Sequence, residues 1–249
     1  MTQPTPLDRS AGIAVWRQIM ETLKAEIVSG AHVTGSQLPP ESEFAARFGV
    51  NRHTVRRAIA ALTAEGILRA DQGRGTFVAS APLNYTIGSR TRFSEIVSEQ
   101  DRAPSGRLIG SAIEEADALL ANQLNVAVGT PLIRLETLRV ADGVPMMVGT
   151  GWLEQARVPN FVADYADSGS ITEALKRASI SDYKRKETRI SAEIVEAKDA
   201  QLLGLALGQP VLIIESVDLD LSGNPIQYIR ARAAADRMQL VVAGSSLSI

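Results

Sequence analysis

Apolar positions recur at helical spacing in the first third of the chain, whereas the long apolar runs further on mostly alternate with polar residues. In "AVWRQIMETLKAEIVSG", Val15, Ile19, Leu23 and Ile27 predict a helix that closes on Gly30. "SQLPPESEFAARFG" predicts a second, with Pro40 in its first turn, Glu41 and Glu43 where the helix dipole favours acids, and Gly49 as its stop. Val55, Ala58, Ile59 and Leu62 mark the core-facing stripe of a third. Two short β-prone runs, "ILRA" and "TFVA", then flank the glycine-rich tip "DQGRG" and predict a hairpin.

The remaining two thirds repeat themselves. Residues 121–148 and 200–229 share the order apolar helix, Gly-x-Pro, strand, turn, strand. Gly129 and Pro131 recur as Gly208 and Pro210, and Glu136 as Glu215, at a constant offset. A strand-like run precedes each copy, "GRLIGSAIEEA" and "ETRISAEIVEA". Strand, helix, hairpin, taken twice, predicts a six-stranded, mostly antiparallel sheet with helices packed outside and a pocket where the copies meet.

With 249 residues, 45% of them hydrophobic, the chain can bury a substantial core. It has no cysteine, which excludes disulfides, thiolate metal sites and a cysteine nucleophile. "MTQPTPLDRS" lacks a signal-peptide pattern and no run of about 18 apolar residues occurs, so a cytoplasmic protein without a membrane partner is expected.

The net charge of −2 hides a local concentration of arginine. "RFGVNRHTVRRAIAAL" holds four arginines and a histidine. On a helix His53, Arg56 and Arg57 lie opposite the apolar stripe, with Thr54 at the flank and Arg52 at the N-terminal edge. Such a face suits an anion, although a solvated surface uses the same residues. Only Val50 and Asn51 separate the second helix from the third, a helix-turn-helix arrangement whose second helix enters the DNA major groove. In the hairpin tip, Gly73 allows close approach to a phosphate backbone and Arg74 can reach a groove.

These residues, from "LPPESEFAARFG" through "ADQGRGTFVAS", resemble the winged helix-turn-helix domain of the GntR family of bacterial transcription regulators. The resemblance implies operator contacts by Arg52, Thr54, Arg56 and Gly73, beside which the helical face adds His53 and Arg57 and the wing adds Arg74. Many members carry an arginine where this chain has Ser42. The order of elements beyond residue 85 resembles the UTRA ligand-sensing domain of the HutC branch, which shares its fold with chorismate lyase. An α+β protein is therefore expected, with residues 1–80 as the DNA-binding domain, 81–92 as a linker and 93–249 as the effector-binding and dimerisation domain. Within the branch, "RFGVNRHTVRRA" and "TRFSE" look most like regulators of phosphonate utilisation.

For the effector, Thr91, Arg92 and Ser94 open a predicted helix in "RTRFSEIVSEQ", where N–H groups, hydroxyls and a guanidinium suit a phosphate, phosphonate or carboxylate. Thr91 or Ser94 capping the helix is the plainer use. The UTRA resemblance implies a site at Arg92, Phe93, Ser94, Arg139 and Ser170, with Thr137 in place of an arginine often found there. Alternation along "YIRARAAADRMQL" puts Tyr228, Arg230 and Arg232 on one strand face, either reaching the pocket or pairing with acids such as Glu136 and Glu215. Both histidines lie in the first third, and no HExxH, GxSxG or Walker-type spacing occurs. The expectation is a homodimeric, operator-binding repressor that responds to a small anionic effector and needs no cofactor or metal. A regulator of histidine or amino-sugar use is the nearest alternative, and a lyase-like enzyme fused to a DNA-binding domain a more distant one.

Overall fold

The computed structural model describes residues 12–242 except 34, 72, 74, 80 and 81, and the chain divides into two compact units at Ala81/Pro82. The first holds helices α1 (Val15–Val28), α2 (Glu41–Phe48) and α3 (Arg52–Ala64) and the antiparallel strands β1 (Leu68–Asp71) and β2 (Gly75–Val78). Helical spacing becomes packing here: Ile19 and Leu23 of α1, Phe44 and Phe48 of α2, and Val55, Ala58 and Leu62 of α3 close one core, joined by Leu68 and Val78 of the hairpin. Leu23, Val55 and Leu62 are fully buried, each worth roughly 1.5–3 kcal/mol of transfer free energy if an aliphatic side chain of that size is removed from water.

Chain direction between α2 and α3 is set by two residues. Gly49 takes the left-handed conformation that ends α2 (φ 63°), which costs a residue without a Cβ little. Asn51 then caps α3, its Oδ1 accepting a hydrogen bond from the His53 backbone N–H at 3.0 Å.

The second unit is built on the duplication. Strands β4 (Pro104–Glu115), β5 (Pro131–Ala141) and β6 (Val144–Glu154), with α5 (Ala118–Leu124) between β4 and β5, form one copy. Strands β7 (Tyr183–Ile194), β8 (Pro210–Asp220) and β9 (Pro225–Ala234), with α8 (Ala197–Leu203) between β7 and β8, form the other. The copies join through β6 and β9 in one antiparallel sheet of order β4-β5-β6-β9-β8-β7. Gly129 and Gly208 match in conformation as in sequence, with φ of 86° and 87°. Each outer strand carries a bulge, between Leu108 and Gly110 in β4 and between Arg185 and Glu187 in β7.

Helices α5 and α8 cover one face of the sheet, packing on Leu132, Val217 and Tyr228 and on Leu138, Val148 and Ile213. The opposite face is covered by α4 (Phe93–Ser98), α6 (Phe161–Ser168) and α7 (Ile171–Arg177). A two-stranded parallel sheet, β3 (Leu83–Ile87) with β10 (Met238–Val242), packs on that same face beside α4.

The presence of β3 corrects the expected linker over 81–92. Leu83 and Tyr85 are buried in the core of the second unit, and Thr91 and Arg92 are buried as well. "LNYTI" does alternate, but its partner lies at the far end of the sequence, and parallel pairing over that distance leaves no local signal.

Replacing Asn51 with alanine removes the α3 cap. The expected cost is about 1 kcal/mol, a fall of roughly 4–8 °C in the melting temperature of a unit this small, read by thermal unfolding.

Candidate DNA-reading face and effector pocket

Arg52 and His53 are exposed at the start of α3, and Thr54 is half-buried. Arg56, one turn further on, is 61% exposed and forks onto Glu41 of α2, with Nη2 donating to Oε2 at 2.8 Å and Nε to Oε1 at 3.0 Å. The Arg56 guanidinium holds the Glu41 carboxyl below its ordinary pKa. Arg57 lays its guanidinium over the Trp16 ring of α1, 4.6 Å from the centroid. Arg47, the first arginine of the cluster, donates to Glu26 and lies 4.8 Å from the Phe48 centroid, within the unit's own packing. The arginine-rich segment therefore divides its charge: Arg47 ties helices together, Arg56 and Arg57 are held in fixed orientations, and Arg52 stands at the helix start. Gly73 has φ 71° at the hairpin tip, and Arg74 lies outside the described residues.

In the second unit Thr91, Arg92, Phe93, Ser94, Arg139 and Ser170 line one cavity of about 170 Å³, below the roughly 300 Å³ typical of drug-sized ligands. Its walls come from the start of α4, strand β5, the α6–α7 turn and strands β7 to β9. Thr91 is committed locally, its hydroxyl accepting from Gly88 N–H at 2.9 Å and donating to Gly88 O at 2.8 Å. Ser170 caps α7 by accepting from Glu173 N–H at 3.3 Å. Arg92 stacks on Tyr183 at 4.5 Å and donates to Glu95 at 2.8 Å and to Asp182. By contrast Arg139 forms no ion pair among the described residues; its guanidinium lies 5.8 Å from the Phe93 ring centroid. An uncompensated cation in a concave site is the strongest attraction the pocket has for an anion.

Among the lining residues that were not foreseen are Tyr183, Arg185, Asp218 and Gln227. Asp218 is 1% exposed and accepts from Arg185 Nε and from Gln227 Nε2, both at 2.7 Å. Tyr183 shares a 2.9 Å hydrogen bond with Thr172, and burial pushes its hydroxyl pKa up. Their one sequence signal is polarity at the inward parity of apolar strands, as in "SVDLDL" and "PIQYI".

Tyr228 and Arg232 do not reach this pocket. Alternation does place them together with Arg230, but on the face that carries α5 and α8, while Gln227 and Ile229 of the same strand line the cavity. Tyr228 donates to Glu215 Oε1 at 2.6 Å, and burial, then the Glu215 carboxylate, drives its pKa upward. Arg232 donates to Asp199 at 2.8 Å and to Thr150 at 2.7 Å, and lies 3.6 Å from Glu136. Arg230 pairs with Glu193 at 2.8 Å. Alternation fixes which residues share a face; cross-strand register decides which face that is.

A three-helix unit with a β-hairpin wing and a second unit built on a cavity-bearing antiparallel sheet, in one chain, define a transcription regulator that carries its own small-molecule sensor. The comparisons agree with that class: residues 16–78 match the bacterial regulatory proteins of the gntR family, and residues 99–239 match the UTRA domain. The chain belongs to the GntR family, and its UTRA domain fits the HutC branch. An uncharacterized HTH-type transcriptional regulator of Rhizobium meliloti is 41% identical, covering 94% of this chain and 96% of that protein. The probable transcriptional regulator PhnF of Escherichia coli is 30% identical over 84% of this chain and 86% of its own length. The crystal structure of PhnF from Mycobacterium smegmatis superposes with a TM-score of 0.63 at 26% identity, covering 92% of this chain and 98% of that one. Both sequence relatives bear the name of transcriptional regulators. Among the described residues no helix is long and apolar enough to cross a membrane, and no three His, Cys, Asp or Glu side chains gather as metal ligands.

The α6–α7 turn that walls the pocket is held against β4 at a contact only glycine permits. A Cβ on Gly106 would stand 2.1 Å from Gly169 O and 2.6 Å from Tyr165 Oη. Gly106→Ala is expected to cost at least about 1–3 kcal/mol and to lower the melting temperature of the second unit, followed by calorimetry.

Proposed function

We propose that the chain is a repressor that binds a palindromic operator as a homodimer and releases it when a small anion occupies the pocket of the second unit. The single observation that carries the effector class is Arg139, an ion-unpaired guanidinium in a cavity also lined by Arg92 and the hydroxyl of Ser94. Phosphonates, phosphate and small phosphorylated metabolites fit that chemistry. The resemblance of "TRFSE" and the recognition segment to phosphonate-utilisation regulators supports a role in phosphorus metabolism, as does the recurrence of the name PhnF among relatives from two bacteria.

On the DNA side, Arg52 and Arg56 read bases or hold phosphates, with Thr54, His53 and Arg57 beside them and Gly73 and Arg74 working from the wing. Glu41 keeps the Arg56 fork aligned before DNA arrives. Two recognition helices related by a twofold axis would meet half-sites about one helical turn apart. Effector binding would favour a dimer geometry in which they no longer match successive grooves, a coupling that needs only about 1–3 kcal/mol.

Two measurements test this reading. Arg56→Ala is expected to weaken operator binding by about 1–3 kcal/mol and to relax discrimination at one base pair, seen by fluorescence anisotropy on a set of permuted operators. A uniform loss over all sequences would make Arg56 a phosphate contact instead. With the same assay, alkylphosphonates or inorganic phosphate should release wild-type protein from its operator, whereas Arg139→Ala should bind DNA normally and need at least about tenfold more ligand. Release only by an amino-sugar phosphate or urocanate would move the protein to another pathway. An Arg139→Ala protein that responds like wild type would remove the anion assignment.

A further inference from the structure

We propose that Gln227 selects the effector by requiring a hydrogen-bond donor on it, so that the ligand is a short-chain phosphonate or phosphate ester bearing an amine or hydroxyl group. This rests on the reading of the pocket as an anion site and adds the chemistry of the ligand's organic part.

Among the described residues, three buried polar atoms on side chains that line this cavity meet no hydrogen-bond partner in the protein: Arg92 Nε, Tyr165 Oη and Gln227 Oε1. Unmatched buried polar atoms are uncommon because each sacrifices its hydration, so a group of them in one concave site points to a ligand that completes them. The Tyr165 hydroxyl can donate or accept, whereas each of the other two has a single role. Arg92 Nε is a donor and calls for an acceptor, which an anionic oxygen supplies. Gln227 Oε1 is an acceptor and calls for a donor.

The orientation of the Gln227 amide follows from its neighbour. Asp218 Oδ2 lies 2.7 Å from Nε2, and a carboxylate already meeting Arg185 through Oδ1 can only accept. The amide nitrogen must therefore face Asp218, which commits the carbonyl oxygen elsewhere. Gln227 is 1% exposed, so bulk water does not serve that oxygen. Arg185 balances the Asp218 charge, leaving a neutral acceptor that takes an amine or a hydroxyl alike.

The recess beside Gln227 is small, about 10 Å³, room for no more than one water-sized terminal group at the end of an arm that lies in the main cavity. Arg139, Ile171, Gln227 and Ile229 also border a small adjoining recess floored by Gly149 and Gly151. A Cβ on Gly149 would come within 3.2 Å of Thr137 Oγ1, so the glycine is what lets the Thr137 hydroxyl pack against the recess. An anion with a two- or three-atom tail can keep its charge with the arginines and carry a terminal donor toward the Gln227 carbonyl.

Titration calorimetry on the full chain with matched ligands tests the assignment. The probes are 2-aminoethylphosphonate and 2-hydroxyethylphosphonate against propylphosphonate, and ethanolamine phosphate against propyl phosphate. Wild-type protein should bind a donor-bearing ligand at least about tenfold more tightly than its propyl counterpart. In Gln227→Met the ratio of the two affinities should fall to near parity whatever the change in their absolute values, with a melting curve confirming that the variant folds. Equal affinity of wild type for donor-bearing and propyl ligands overturns the proposal without any variant, as does a preference that survives in Gln227→Met. Binding of none of the five probes overturns this proposal and the anion reading together. A donor preference that persists while Arg139→Ala leaves every affinity unchanged removes the anion reading alone.

Discussion

The second unit depends on one junction, the antiparallel pairing of β6 with β9 that joins the two copies of the repeat. Met147 faces Ala233 and Trp152 faces Tyr228, and every residue between them is fixed to one side of the sheet by that register. A slip of one residue would exchange the faces, carrying Gln227 and Ile229 out of the cavity and Tyr228, Arg230 and Arg232 into it. Bulky, well-packed partners on both faces hold the register. Ile229, Ala231 and Ala233 lie under α4, while Tyr228 stacks on Trp152 beneath α5 with ring centroids 5.5 Å apart.

The two faces handle charge differently as a result. On the α5–α8 side the cations are matched to carboxylates: Arg232 to Asp199, Arg230 to Glu193, Lys198 to Glu136. Of these only Arg232–Asp199 is buried on both sides, and such a pair does little more than offset the cost of burying its own charge. On the cavity side Asp218 is matched by Arg185 and Arg92 by Asp182 and Glu95, but Arg139 is left over. Mutual satisfaction on one face and one unmatched guanidinium on the other set the two arginine-rich clusters apart.

The first unit follows the same economy. Its arginines are too many for one purpose, and the fold gives them separate ones. Arg47 and Arg57 pack against aromatic rings, Arg56 is braced by Glu41, and Arg52 projects at the capped start of α3. A flexible side chain loses entropy on meeting DNA, and bracing it beforehand reduces that loss. Ser42, one residue beyond Glu41, leaves this chain without the second-helix arginine that many of its family carry.

The sequence by itself determined the elements of the first unit and the repeated strands and helices of the second. Helical spacing and glycine stops mark α1 to α3, and the twofold repetition of Gly-x-Pro before a long strand predicts the six-stranded sheet. It also assembled one side of the pocket, because Thr91 to Ser94 are contiguous and Arg139 and Ser170 sit at recognisable places in a known order of elements. Tertiary structure decided what depends on pairing between distant strands. The β3–β10 contact turned an expected linker into core, and the β6–β9 register sent Tyr228 and Arg232 away from the cavity and brought Gln227 and Asp218 to it. Local periodicity specifies which residues point the same way; only the neighbour across the ladder says which way that is.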